Sequence, residues 1–120
     1  MRVLVANRPR LMRDLMVATI SSQPDIEIVG ELQSDLEILE AIEKSRPDVL
    51  IVTLEESDER PIICDFVLEK FPNMKIIALA PHRNTSMYYW SSLQIHSNRI
   101  EASEAGVMNA LRGKPQPVRG

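Results

Sequence analysis

Three short runs of apolar and β-branched residues stand out along the chain, at positions 2–6, 48–54 and 75–80. Each run is nearly continuous, without the alternation of apolar and polar positions that is typical of a strand with one solvent-exposed face. Continuous runs of this length are typical of strands buried on both faces. A shorter strand candidate lies at 26–30. The pattern therefore predicts a sheet whose two faces are both covered.

Helical stretches separate these strands, at 11–21 and 35–44, and a further helix is expected at 66–71. In the first two stretches apolar residues recur at spacings of three and four, so one stripe of each helix is expected to face the sheet. These residues are Leu11, Met12, Leu15 and Ala18 in the first stretch and Leu36, Leu39 and Ile42 in the second. Pro24 and Pro47 each precede a strand, where a proline stops a helix without removing a hydrogen bond of the sheet.

Alternating strands and helices joined by short connections indicate a parallel sheet, because parallel strands need crossover connections that run right-handed. The best fit is an α/β, three-layer αβα, flavodoxin-like (βα)5 fold with a five-stranded parallel sheet. Beyond Pro81 the pattern weakens, and we expect a helix within 83–94 and the fifth strand within 93–100. Ser103 is a suitable N-cap for a last helix that ends near Leu111.

One domain is expected, because a chain of 120 residues buries roughly two thirds of its surface around a single core. Gly113, Pro115 and Pro117 end the last helix. The sequence thus predicts a domain at 1–112, followed at 113–120 by a tail or the start of a linker.

Composition narrows the classes of function. Fourteen Lys and Arg against 17 Asp and Glu give a net charge of -3. This balance is too acidic overall for a domain that binds nucleic acid through a basic footprint, although it does not exclude a local basic patch. The lone Cys64 forms no internal disulfide, and no run reaches the roughly 18 apolar residues of a membrane span. No signal-peptide pattern follows Met1. We expect a cytoplasmic protein without a nucleic-acid or membrane partner.

Several segments carry a resemblance to a known family. They are the opening strand 2–6, Leu11 and Arg13, the stretch 24–31, the stretch 46–49, the run from Phe71 to Ala80, and 101–103. Together they resemble the CheY-like receiver domains of two-component response regulators, most closely those that precede a helix-turn-helix DNA-binding domain. The resemblance covers nearly the whole chain. The resemblance is weakest between 83 and 100, where this chain is shorter than the family pattern.

The resemblance also assigns positions to the family's phosphorylation chemistry. A working receiver has two acidic residues after its first strand and a phospho-accepting aspartate at the end of its third, and these carboxylates hold Mg²⁺, which prefers hard oxygen ligands. The family pattern also includes a Thr or Ser after the fourth strand and a lysine after the fifth. In this chain the five positions fall on Asn7, Arg8, Thr53, Ala80 and Ile100, or near His96 for the last.

None of these positions keeps the family's residue. Phosphoryl transfer needs a nucleophile, a cation and donors to the phosphoryl oxygens. We therefore expect no enzyme activity, no metal, no cofactor and no phosphorylation site, with Thr53 a structural threonine. The predicted function is a phosphorylation-independent pseudo-receiver that acts by association with a protein partner or as a homodimer.

An acidic run follows the third predicted strand, comprising Glu55, Glu56, Asp58 and Glu59. Adjacent carboxylates in a loop are usually solvated, and we favour that interpretation over a metal site. A second hypothesis pairs Arg8 with Glu55 or Glu56, so that a guanidinium stands where the family keeps its metal. His82, His96 and Cys64 are too few for an evident zinc site, and the four glycines form no phosphate-binding loop.

Tyr88, Tyr89 and Trp90 hold three of the five aromatic residues. On a helix they would point in different directions, so one should reach the surface. The resemblance implies that this region meets partners, and we expect an association face there. The competing interpretation buries Trp90 in the core.

Two other functions stay open. The chain fits the receiver portion of a helix-turn-helix transcription regulator. It also fits, less well, a small-molecule binder that uses Asn7, Arg8 and the acidic run at the strand ends.

Overall fold

The computed structural model describes residues 1–7, 10–54, 59–80, 85–91, 95–100 and 103–112. Within these ranges the chain forms six strands and four helices. They are β1 (Arg2–Ala6), α1 (Arg10–Ser21), β2 (Glu27–Glu31), a 3-10 turn (Asp35–Glu37), α2 (Ile38–Ser45), β3 (Val49–Thr53), α3 (Ile62–Lys70), β4 (Lys75–Ala80), β5 (Thr85–Ser91), β6 (Ile95–Ile100) and α4 (Glu104–Leu111).

The strands form one sheet in the order β2-β1-β3-β4-β5-β6. The first four are parallel, with Val3 paired with Val49 and Ile51 with Ile77. β5 runs antiparallel to β4, and β6 runs antiparallel to β5. The parallel α/β half agrees with the flavodoxin-like fold expected from the sequence.

The expected helix within 83–94 is wrong, and so is the purely parallel five-stranded sheet. Residues Thr85–Ser91 form a strand and Ile95–Ile100 a second one. Only residues 81–84 connect β4 to β5, too few for the crossover of a dozen or more residues that a parallel pair needs. Aromatic residues also favour strands. This short connection and the Tyr-Tyr-Trp run together explain the hairpin.

Each face of the sheet carries its own buried cluster, and two helices cover each face. α1 and α4 contribute Met16, Ile20, Val107 and Leu111 to one cluster. α2 and α3 contribute Ile38, Ile42, Val67 and Leu68 to the other. The strand residues alternate between the clusters, so Tyr88 packs in the first and Tyr89 in the second.

α1 faces the sheet with a different stripe from the one expected. Leu11 and Leu15 are 79% and 56% exposed and Ala18 is also exposed, whereas Arg13, Met16 and Ile20 are buried. Positions 13, 16 and 20 have the same helical spacing as the expected stripe, so spacing alone does not choose between the two. Met12 is half-buried between them.

The other helices differ from expectation mainly at their ends. Residues 35–37 form a 3-10 turn that leaves Leu36 94% exposed, while Ile42 is buried as expected and Leu39 is half-buried. α3 begins at Ile62, directly after Pro61, and is longer than the expected 66–71. Pro is well suited to a helix start because its missing N–H has no helical partner there.

The last helix was predicted correctly. The Ser103 side chain accepts a hydrogen bond from the Gly106 N–H at 3.0 Å and caps α4. At the other end, the Arg112 guanidinium lies 3.1 Å from the Asp25 carboxylate, in the turn before β2. This hydrogen bond lowers the pKa of the exposed Asp25 carboxyl. Within the described ranges no helix is both long and apolar enough to cross a bilayer.

We predict that Tyr89→Ala destabilises the fold far more than Trp90→Ala. Tyr89 is 2% exposed, whereas Trp90 is half-buried and packs against Tyr88 with ring centroids 5.6 Å apart. Truncating a buried aromatic residue costs about 3 to 5 kcal/mol. Urea denaturation should show a loss of this size for Tyr89→Ala, and an equal loss for Trp90→Ala would mean that Trp90 is the core aromatic.

Candidate functional site

Asn7 directly follows β1, Thr53 ends β3 and Ala80 ends β4. Since β1, β3 and β4 are parallel neighbours, the three residues lie at one edge of the sheet, where open α/β sheets bind ligands. The Asn7 side-chain amide donates to the Thr53 hydroxyl at 3.4 Å. The structure thus brings together two of the positions that the family resemblance had singled out.

A buried arginine completes the described part of this edge. Arg13 on α1 is only 7% exposed, and its guanidinium donates to the Asn7 backbone carbonyl at 3.4 Å. No ion pair of Arg13 with a carboxylate is found among the residues that the structure describes. Buried charge is costly unless it is hydrogen-bonded, so the Asn7 carbonyl helps to hold Arg13 in place.

Asn7 is itself fully buried, and its side-chain oxygen has no hydrogen-bond partner in the described part of the chain. Thr53 is half-buried and engaged in the contact with Asn7. Ala80 is fully buried and presents a methyl group. The described edge therefore offers an amide, a hydroxyl and a guanidinium, and no carboxylate.

This donor set does not fit Mg²⁺. The ion is normally held by carboxylates and water, and a fixed guanidinium nearby repels it. No group of three or more His, Cys, Asp or Glu side chains that could hold a metal occurs within the described ranges.

Ile100 is not part of this cluster. It is the last residue of β6, pairs with Ser86 of β5 and is 1% exposed within the cluster under α1 and α4. The hairpin inserts β5 between β4 and β6, so Ile100 lies two strands from Ala80.

Other predicted positions lie outside the described residues. These are Arg8, Glu55, Glu56, Asp58 and His82, together with the His96 side chain. The pairing of Arg8 with the acidic run therefore stays a prediction. Glu59, the last residue of that run, is described and exposed.

Sequence reasoning missed the site role of Arg13, since a charged residue on a surface helix is expected to face solvent. Its position three residues before Met16 places it on the buried stripe, and that spacing was the available signal. It also missed Ser86, which is 1% exposed and whose hydroxyl has no hydrogen-bond partner in the described chain.

No family model matches the chain. Individual relatives do. The chain is 30% identical to a protein-glutamate methylesterase/protein-glutamine glutaminase of Rhizobium johnstonii, over 97% of this chain and 30% of the relative. It is 39% identical to the corresponding protein of Rhizobium etli, with the same two coverages. The chain thus spans about a third of the length of these curated relatives.

Two solved structures are similar in fold. The response regulator domain of Thermotoga maritima CheB has a TM-score of 0.54 and 28% identity, covering 63% of this chain and 57% of that one. The RcsB response regulator of Salmonella typhimurium has a TM-score of 0.57 at 20% identity, covering 65% and 42%. The second similarity shows the fold alone.

An α/β domain whose mixed sheet has four adjacent parallel strands, with the candidate site at the ends of these strands, is flavodoxin-like. Together with these similarities, it places the chain among the CheY-like receiver domains of response regulators, which serve two-component signal transduction. The resemblance to CheY-like receiver domains is therefore confirmed, whereas the expected loss of phosphorylation stays a prediction.

We predict that Arg13→Ala destabilises the domain by about 1 to 3 kcal/mol, because the buried Asn7 carbonyl loses its side-chain donor. Asp14→Ala on the exposed side of α1 is the matched control and should stay close to wild type. Chemical denaturation of both variants measures the difference. Equal stability of the two variants would mean that the Arg13 contact contributes nothing.

Cys64 on α3 should not react in the folded protein. It is fully buried, and burial raises the pKa of its thiol to about 12. Since the thiolate is the nucleophile, iodoacetamide near neutral pH should leave the native protein unmodified and label it fully in denaturant. Mass spectrometry distinguishes the two states, and rapid labelling without denaturant would contradict the burial of Cys64.

Proposed function

We propose that this receiver domain signals without accepting phosphate on an aspartate, and that it acts by association with a protein partner or a second copy. One observation carries the proposal. At the end of β3, where the family resemblance places the phospho-accepting aspartate, Thr53 is hydrogen-bonded to Asn7, which stands at one of the two acidic positions.

The chemistry of the three side chains supports this proposal. A neutral amide and a hydroxyl do not supply the charge that binds Mg²⁺ or the carboxylate that accepts a phosphoryl group. The buried Arg13 guanidinium adds a fixed positive charge on the side of β1. The methyl side chain of Ala80 donates no hydrogen bond to a phosphoryl oxygen. We infer that Thr53 has a structural role.

The alternative is that the domain is the receiver portion of a larger transcription regulator. It is favoured by the 29% identity, over 68% of this chain and 39% of the relative, to a transcriptional regulatory protein of Bacillus subtilis. In that case the partner is an output domain, and association through this domain transmits the signal to it.

Neither proposal assigns catalysis or a cofactor to this domain. The curated Rhizobium relatives are named as methylesterases and glutaminases, but this chain spans 30% of their length. The described strand-end edge contains no acid–base pair that would serve such hydrolysis.

We predict no gain of phosphate when the protein is incubated with Mg²⁺ and acetyl phosphate, as read by intact-mass spectrometry. The single substitution Thr53→Asp should not restore phosphorylation, because Asn7 and Arg8 still provide no metal site. The control is the variant that combines Asn7→Asp, Arg8→Asp and Thr53→Asp, which should regain Mg²⁺ binding. A gain of one phosphate by the wild type, whether acid-labile or acid-stable, would contradict the proposed function.

A further inference from the structure

Ser86 of β5 is buried in an apolar neighbourhood. Its hydroxyl has no hydrogen-bond partner in the described part of the chain. The residues paired with Ser86 on the two adjacent strands are Leu79 of β4 and Ile100 of β6, and both belong to the cluster under α1 and α4. Neither side chain donates or accepts a hydrogen bond. A buried hydroxyl without a partner is costly, so Ser86 lowers the stability of the fold unless another molecule pairs with it.

The Ser86 side chain faces a pocket between α1 and α4. Side chains alternate along a strand, so Ser86 points to the same side as Tyr88, which packs under these two helices. There Ser86 lines a pocket of about 280 Å³ together with Leu79, Met16 of α1 and Val107 of α4. We call it the α1–α4 pocket. A serine fills much less space than the tyrosine two residues further along the same face, which leaves this volume open.

The described rim of the α1–α4 pocket is more polar than its interior. Thr19 and Ser103 are half-buried at the rim, and Glu104 is exposed there beside Leu15. The pocket thus combines an apolar interior that holds one hydroxyl with a rim that holds a carboxylate. Sites for small molecules have this composition, in which a mainly apolar lining carries a few polar groups that orient the ligand.

We propose that the α1–α4 pocket binds a small neutral molecule with an apolar body and one hydroxyl or carbonyl oxygen, and that this oxygen is hydrogen-bonded to Ser86. The inference goes beyond the proposed function, which concerns phosphorylation and association, and does not depend on it. Such a ligand is a chemical input that requires no phosphoryl transfer.

The volume of the pocket limits the size of the ligand. An apolar cavity of about 150 Å³ holds a benzene molecule, so a pocket of about 280 Å³ accommodates a substituted single ring or a branched chain of similar size. Water alone fits less well. A buried water molecule makes about three hydrogen bonds, whereas the side chains of Leu79, Met16 and Val107 beside Ser86 are apolar. A ligand with an apolar body satisfies both the lining and the hydroxyl.

The charges of the described lining favour a neutral ligand. Glu104 is the one charged residue among the described residues that line the pocket. Its carboxylate repels an anion at the rim, and an ionised group further inside has no opposite charge to pair with, which makes its burial costly. An amine is attracted to Glu104, but this attraction does not supply the partner that Ser86 lacks. A hydroxyl or a carbonyl oxygen supplies that partner directly.

An NMR titration of the full chain with three matched probes tests the site. The probe is para-ethylphenol, and the controls replace its hydroxyl with a methyl group (para-ethyltoluene) or a carboxylate (para-ethylbenzoate). We expect saturable binding of para-ethylphenol at millimolar concentration or below. Para-ethyltoluene should bind about fivefold more weakly or worse, because Ser86 stays unpaired, and para-ethylbenzoate should not bind. The methyl resonances of Leu79 and Val107 should shift, whereas those of Leu68 on the other face of the sheet should not.

Ser86→Ala isolates the contribution of the hydroxyl. This variant should fold, because it removes a buried polar group that has no partner. It should bind para-ethylphenol about fivefold more weakly than the wild type and leave the binding of para-ethyltoluene unchanged. Ser97→Ala makes the same substitution at an exposed position of β6 and is the matched control, which should bind all three probes as the wild type does. Thermal melts verify that both variants fold.

Three results would overturn the proposal. They are the absence of saturable shifts with para-ethylphenol up to its solubility limit, equal binding of para-ethylphenol by the wild type and Ser86→Ala, and binding of para-ethylbenzoate as tight as that of para-ethylphenol. The phosphate assay separates this inference from the proposed function. A domain that gains no phosphate and binds no probe refutes the pocket alone, whereas a phosphorylated domain that binds para-ethylphenol refutes the proposed function alone.

Discussion

The parallel pairing of β1 with β3 is the constraint on which the rest of this structure depends. Both strands are almost wholly buried, with Leu4 beside Leu50 and Val5 beside Ile51 in register. Burial on both faces requires helices on both sides, which determines the three-layer arrangement. The same pairing brings the ends of the two strands to one edge of the sheet. Asn7 and Thr53 therefore meet because of the core that lies beneath them.

The proposed function rests on the chemistry of that edge. In a receiver, the strand ends gather negative charge, and a metal ion offsets it. Here the described edge gathers neutral groups and a buried arginine, whose hydrogen bond to the Asn7 carbonyl ties α1 to the end of β1. The neutral side chains and the arginine at this edge are consistent with one another. A guanidinium disfavours a metal ion, and neutral side chains need no metal ion to offset negative charge. We propose that the domain instead transmits its signal by association with a partner.

The sequence was sufficient to predict a strand or a helix start where a single physical signal acted alone. Continuous apolar runs predicted β1, β3 and β4, and Ser103 predicted the start of α4, because burial and capping each leave a local pattern. It was not sufficient for α1, where two stripes of equal spacing compete and only packing against the sheet decides that Arg13 rather than Leu11 is buried. It also failed at 85–91, where helical spacing was assumed for residues whose aromatic content favours a strand. For the candidate site, Asn7 and Thr53 were predicted from the family resemblance, whereas the buried Arg13 was not, because its role comes from the three-dimensional contact.

Magnesium binding tests the central claim most directly. A calorimetric titration of Mg²⁺ into the purified chain, followed in parallel by the backbone amide resonances of Asn7 and Thr53, reports the ion and its location together. The account predicts no saturable heat and no shift of either resonance up to millimolar Mg²⁺. A saturable one-site heat together with shifts of both resonances would contradict it.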